Sequence, residues 1–306
     1  MADATPLILD VDTGVDDALA IGLAVSRPDI DLLAVSTLAG NIDVVNSTEN
    51  SRRVLGLLGA SAIPVHQGAS RPLIRPHRDA SHYHGTNGLG DAQLPEVEAP
   101  LGLDRGPAAI IRLAKQRPGE IVLVATGPLT NVAIALNVLP ELPSLLKQFV
   151  VMGGSYRNPG NVTPHAEFNI WADPEAAQQV FATDFPDAIA VGLDVSHQTL
   201  LLKASWEEST GQSHELAQLM SAVCRRTFVD RAQDAFPLHD PLATAVALDP
   251  ALVATERGVI DVVTNGEREG KTVFTARASG SWQVALGVNS GRFVSEFLAS
   301  YQLRAQ

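Results

Sequence analysis

The chain has 306 residues, 45% of them hydrophobic and 18% charged, which is enough apolar material for a large core and gives no sign of disorder. A formal net charge of −12, with 22 Lys and Arg scattered among 34 Asp and Glu, argues against a nucleic-acid polymer as partner, because phosphate backbones are bound through clustered basic residues. A small neutral or cationic ligand suits such a chain better.

From the N-terminus, MADATPLILDVD offers neither a basic segment nor a cleavable apolar stretch, and no apolar run reaches membrane-spanning length. The single cysteine, Cys224, excludes an internal disulfide and sits on an apolar helical stripe with Leu216, Leu219, Met220, Val223 and Phe228, so a buried thiol is expected. These features lead us to expect a cytoplasmic protein with no membrane partner.

Short Val- and Ile-rich runs alternate with longer amphipathic stretches, the pattern of strands buried on both faces and joined by helical crossovers. Strands are predicted near 6–12, 31–38, 62–66, 121–126, 149–152 and 188–194, with helices near 16–26, 48–59, 107–117, 129–138 and 173–183. Beyond residue 198 the rhythm changes. Helices near 214–233 and 239–248 precede strands at 258–264, 271–278 and 281–288, and a helix at 291–303 closes the chain. The prediction is an α/β fold: a mostly parallel central sheet covered by helices, extended at its C-terminal end by antiparallel strands, with Gly266 to Gly270 turning a hairpin. No linker or repeat divides it, so residues 1–306 read as a single domain. Segment 68–106, rich in Pro, His and Gly, is too long for a plain connection and reads as a functional loop.

In a parallel sheet, ligands bind at the carboxyl ends of the strands, and the unusual polar residues collect there. Strand one ends in Asp10, Asp12, Asp16 and Asp17, four carboxylates in eight residues. Strand two ends in Gly40-Asn41, strand four in Thr126-Gly127-Pro128, strand five in Met152-Gly153-Gly154. Four close carboxylates repel one another unless a cation compensates them. Helix capping accounts for one or two such acids but not four. With no Cys-x-x-Cys or His-Glu-x-x-His spacing, the available ligands are oxygens; a hard cation is favoured over zinc, and calcium, accepting six to eight oxygens, over magnesium. Asp16 and Asp17, adjacent at a helix start, are expected to diverge, one to metal and one to substrate.

Three further groups stand out. The segment GNVTPHAEFN (160–169) offers Asn161, Glu167 and Asn169, whose donors and acceptors suit sugar hydroxyls. His239-Asp240-Pro241 starts a helix, where Asp240 could equally serve as an N-cap before Pro241. His82-Tyr83-His84-Gly85 lacks the ligand pair of a zinc site, so His84 is read as facing substrate from a loop.

Taken together, DVDTGVDDALA, Gly40-Asn41, TGPLTN (126–131), Met152-Gly153-Gly154, GNVTPHAEFN and His239-Asp240-Pro241 resemble the inosine-uridine-preferring nucleoside hydrolase family, in family order from residue 8 to residue 243. The resemblance implies hydrolysis of a ribonucleoside to free base and ribose. It further implies that calcium is bound by Asp12, Asp17, Asp240 and the Thr126 carbonyl, with Asp12 the general base on a calcium-bound water. Asp16, Asn161, Glu167 and Asn169 would hold the ribose, with Asn41 and Met152 nearby and Asp10 in support. His239 is the candidate for assisting the leaving base, as proton relay or as plain contact. A homodimer or homotetramer is implied as well. Where relatives often present Tyr or Gln to the base, this chain has Val223, Thr227 and Arg231, predicted on one helical face at i, i+4 and i+8, with Arg231 toward substrate.

Two rivals bear weighing. A phosphatase of the haloacid dehalogenase type would use Asp10-Val-Asp12-Thr13 at a strand end, but would need downstream Lys and Ser/Thr motifs and leaves Asp16-Asp17 unexplained. A non-catalytic ribose or nucleoside binder would need no base beside the metal.

Overall fold

The Val- and Ile-rich runs form β1 (Thr5–Val11), β2 (Ile30–Thr37), β3 (Val65–Gln67), β4 (Val122–Ala125), β5 (Gln148–Met152) and β6 (Ala188–Val191). They lie side by side in the order β3-β2-β1-β4-β5-β6, every neighbouring pair parallel. The computed structural model describes residues 4–97 and 101–303; residues 98–100 of the predicted loop 68–106 and the two ends of the predicted domain 1–306 lie outside it. Successive strand residues enter opposite layers: Leu7, Leu9, Val122 and Val124 join one core cluster, Ile8, Leu123 and Ala125 the other. Both faces are therefore covered, as the unbroken apolar runs require. The strand order reverses between β1 and β4, which opens a crevice above their carboxyl ends.

A two-stranded antiparallel ribbon, β7 (Leu200–Leu202) with β8 (Ala235–Pro237), follows. The late strands β9 (Val253–Val262), β10 (Thr272–Ala276) and β11 (Trp282–Val288) complete a nine-stranded sheet, β10-β9-β11-β6-β5-β4-β1-β2-β3. β11 pairs parallel to β6, so the antiparallel extension begins one strand further out, at β9 and β10. Gly266 and Gly270, at φ +76° and +79°, turn the predicted β9–β10 hairpin.

Helix Val15–Ser26 leaves β1 with Asp16 and Asp17 in its first turn and packs against helix His239–Val246, which brings Asp240 to the same spot. Asp240 is not the N-cap: the helix begins at His239, one residue early for that role. Several predicted bounds shift for local reasons. The helix predicted at 48–59 spans Val44–Leu57, because the Asp43 carboxylate accepts the N–H groups of Val45 and Asn46. The strand predicted at 188–194 stops at Val191, and Leu193–Ser196 forms a helical turn. The helix predicted at 214–233 is α-helical only over Glu215–Arg225 and continues as a π-helical turn, Arg226–Asp230. Cys224 is fully buried, as expected, and so is Val223. Among the described residues no helix is long and apolar enough to cross a membrane.

Candidate active site

The crevice above β1 and β4 is a cavity of about 250 Å³. Asp16 and Asp240 of the acidic cluster line it and are nearly buried, while Asp10, Asp12 and Asp17 are fully buried and outside its lining. One oxygen each of Asp16, Asp17 and Asp240 lies within 4.8 Å of the other two, so the adjacent Asp16 and Asp17 converge here instead of diverging. Asp12 is seated between two glycines. A Cβ on Gly40 would stand 2.0 Å from its Oδ2, and one on Gly127 2.9 Å from its Oδ1. The Asn41 N–H donates to Asp12 Oδ2 at 2.5 Å, whereas Asp12 Oδ1 and Asp16 Oδ1 are buried without a partner.

Asp17 is better supplied, accepting the Gly14 N–H at 2.9 Å, the Asn41 amide at 3.3 Å and the Thr126 hydroxyl at 2.7 Å. Burial, reinforced by the Asp17 charge, holds Asp12 well above the usual carboxylate range and lifts Asp16 to about 8. Asp240 is raised by burial and by the charges of Asp16, Asp17 and Asp12, and Asp17 by burial. Asp10, lifted to about 7 by burial, is clasped by Asn131 Nδ2 at 2.7 Å and does not line the cavity. Orphaned carboxylate oxygens, mutual repulsion and an all-oxygen donor set together fit a hard divalent cation.

On the walls, Asn161 lies near the rim, its Oδ1 accepting the Phe168 N–H at 2.9 Å. Glu167 caps the short helix Phe168–Ala172, so its oxygens are taken up by three backbone N–H groups, of Asn169, Gly154 and Ile170. Burial raises its pKa. The Asn169 amide donates to the Thr126 carbonyl at 2.6 Å and to the Met152 carbonyl at 3.2 Å, tying the ends of β4 and β5 together.

Of the histidines lining the cavity, His84 and His239 are neutral rings, each held down at about 3 by burial. His84 Nδ1 accepts the Val15 N–H at 3.1 Å, so its 3.9 Å approach to Asp16 is not an ion pair. His239 Nδ1 pairs with the Ser196 hydroxyl at 2.8 Å, which leaves Nε2 for the cavity.

Most site residues expected from the sequence line this cavity; the fully buried Asp12 and Asp17 do not, nor does Arg231. Its predicted face is broken by the π turn, which adds a residue to one turn and rotates everything after it, while Val223 is packed into the core. The exposed Arg231 guanidinium lies 4.6 Å from the centre of the Tyr83 ring. The sequence reading missed Tyr83, His197 and Phe168 as cavity residues. His197, its ring 5.4 Å from that of His239, follows β6 at its carboxyl end; the strand-end rule reaches it once the strand is stopped at Val191.

Comparison with known proteins agrees with this arrangement. Residues 7–295 match the sequence profile described as inosine-uridine preferring nucleoside hydrolase. The inosine-uridine preferring nucleoside hydrolase of Leishmania major is 38% identical over 267 residues, covering 85% of this chain and 84% of that one. The non-specific ribonucleoside hydrolase RihC of Escherichia coli O157:H7 is 37% identical over 305 residues, 96% of this chain and 98% of its own. Among solved structures, a purine-preferring ribonucleoside hydrolase from Gardnerella vaginalis superposes with a TM-score of 0.90 at 32% identity, over 97% of this chain and 98% of that one. With its acidic cluster at the switch point of a 3-2-1-4-5-6 sheet, and with these relatives along nearly its whole length, the chain belongs to the inosine-uridine preferring nucleoside hydrolase family.

Proposed function

We propose that this protein hydrolyses the N-glycosidic bond of ribonucleosides to free base and ribose, with calcium as its metal and Asp12 as general base. The observation that carries the reading is the pair of partnerless, buried carboxylate oxygens, Asp12 Oδ1 and Asp16 Oδ1, in an acidic cluster whose Asp16 and Asp240 line the cavity. Asp12, Asp17, Asp240 and the Thr126 carbonyl would hold the ion, and the grouping of Asp16 with Asp17 and Asp240 gives Asp16 access to both ion and sugar. Bound there, calcium would lower the pKa of the attacking water and anchor the sugar diol.

The chain's own residues then divide the chemistry. Asp12 has Oδ2 committed to the Asn41 N–H, which orients Oδ1 to take the proton of water. Asp16, Asn41, Asn161 and Asn169 supply hydrogen bonds to the ribose. Glu167, already saturated by backbone donors, acts chiefly as a fixed negative charge that stabilises oxocarbenium character in the sugar. His239, oriented by Ser196, serves the departing base.

A phosphatase reading is disfavoured, since among the described residues no Lys or Arg lines the cavity. We further propose that residues 1–306 act as one domain in a cytoplasmic homodimer or homotetramer. The test is incubation of the purified protein with a panel of nucleosides, measuring released base and reducing sugar. Release by the native protein, lost in Asp12→Asn while nucleoside binding persists, is the expected result; binding without release by either would leave a binder and overturn the reading.

A further inference from the structure

The relatives named above differ in their stated base preferences at similar identity, so the preference of this chain has to follow from its own cavity wall. We propose that Arg231 is a positioning residue for base recognition: from outside the cavity it clamps Tyr83, whose ring forms the aromatic wall against which the planar base stacks. The inference rests on the nucleoside reading above.

Tyr83 lines the cavity and Arg231 does not, although the guanidinium lies 4.6 Å from the ring centre. The guanidinium thus reaches a cavity-lining ring from a residue outside the cavity lining. Arg231 Nη1 also reaches the Tyr83 carbonyl at 3.5 Å, and His84 meets the ring edge-on with centroids 5.0 Å apart, so the ring is held from two directions. The clamp is part of a larger seam. Arg226, on the same π turn, pairs with Asp91, and the Gly90 N–H donates to the His84 carbonyl at 2.6 Å. Gly90, at φ +64°, has no room for a side chain, because a Cβ there would stand 2.4 Å from the Val223 carbonyl.

Arg231 itself is fixed by its N–H to the Arg226 carbonyl at 2.9 Å, and Ala232, at φ +50°, turns the chain away directly afterwards. A π turn that ends in a left-handed alanine is an irregular way to finish a helix. Its effect is to place a cation over the ring of Tyr83, the one tyrosine among the described residues that lines the cavity. Held there, the ring offers a preset face to a flat heteroaromatic base, and the purine bicycle, with more area to stack, depends on it more than a pyrimidine does.

The experiment compares wild type, Arg231→Met, Arg231→Lys, Tyr83→Leu and Arg231→Met/Tyr83→Leu, measuring kcat and KM for inosine and uridine and inhibition by ribose, which carries no base. Arg231→Met is expected to raise KM for inosine by about two- to fivefold, the range of an exposed cation–π contact, with a smaller rise for uridine and no change in ribose inhibition. Arg231→Lys should restore part of the loss, and Arg231→Met should add nothing once Tyr83 is Leu. Unchanged KM values, equal losses with ribose and nucleoside, or additive losses in the double variant would overturn the inference. If the wild type cleaves neither nucleoside, the functional reading fails separately, and calorimetric binding of inosine to the same variants decides the Arg231 inference by the same criteria.

Discussion

Gly40→Ala probes how closely the chemistry depends on the seat of Asp12. The new methyl carbon would stand 2.0 Å from Asp12 Oδ2, whereas ordinary contact begins near 3.4 Å, so the carboxylate or the 40–41 backbone has to move by about 1.4 Å. A carboxylate that gives way at Oδ2 carries Oδ1 with it. Displacing the backbone instead weakens the 2.5 Å bond from the Asn41 N–H, so either response re-aims the proposed base. A misplacement on the order of 1 Å at reacting atoms costs about 100-fold, and overpacking a rigid site costs about 1–3 kcal/mol of stability. We expect kcat on inosine to fall by about that factor in a protein that still melts cooperatively, with a smaller change in KM, measured by base release alongside thermal denaturation. A folded Gly40→Ala enzyme with kcat within about threefold of wild type would refute the reasoning, because the packing demands a shift that the proposed chemistry could not tolerate.

Other consequences follow from the same site. Chelated protein should lose stability as pH rises from about 6.5 through 8: Asp10 and Asp16 have folded pKa values raised to about 7 and 8, so the folded state holds protons there that the unfolded state has released, whereas below about 6.5 the buried neutral His84 and His239, held at about 3, oppose the trend; calcium should flatten the slope, and a melting temperature that climbs from about 6.5 to 8 in chelator would contradict it. His239→Ala should bind calcium normally and lose turnover on natural nucleosides, by about 100-fold or more, yet largely keep it on a nitrophenyl riboside whose leaving group needs no help; equal losses on both would remove the leaving-group role. Uridine and inosine should be cleaved and their 5′-monophosphates rejected, because the buried Glu167 charge and the absence of Lys or Arg among the described cavity residues leave a phosphate uncompensated; comparable kcat/KM for either pair would sink this placement of Glu167.

The parallel sheet and the acidic cluster were legible because each rests on a signal stronger than its surroundings. Val- and Ile-rich runs such as PLILDV admit no exposed face, and four aspartates within eight residues cannot be solvated surface at the end of a buried strand. Asn161, Glu167 and Asn169 were readable as polar groups in a loop, but the backbone donors that fill the Glu167 carboxylate were not, since a five-residue helix has too few turns to show a period. The base side failed for a different reason. Counting i, i+4 and i+8 assumes an unbroken α-helix, and the Arg226–Asp230 π turn removes that assumption without marking the sequence. Arg231 thus fell against Tyr83, a pairing across 148 positions that local pattern cannot reach, while Val223, in the regular helix before the turn, is buried with the apolar stripe of Cys224. His197 was hidden by extending β6 three residues too far.

The most direct test of the central claim is to follow the oxygen. Purified protein incubated with inosine in water enriched in heavy oxygen, with calcium and without phosphate, should release hypoxanthine and ribose in equal amounts, with one labelled oxygen at the anomeric carbon, and release should stop on chelation and resume with calcium. Base release that requires phosphate, label absent from the sugar, or undiminished turnover in the chelated protein would contradict the account of water activated at the Asp12 cluster.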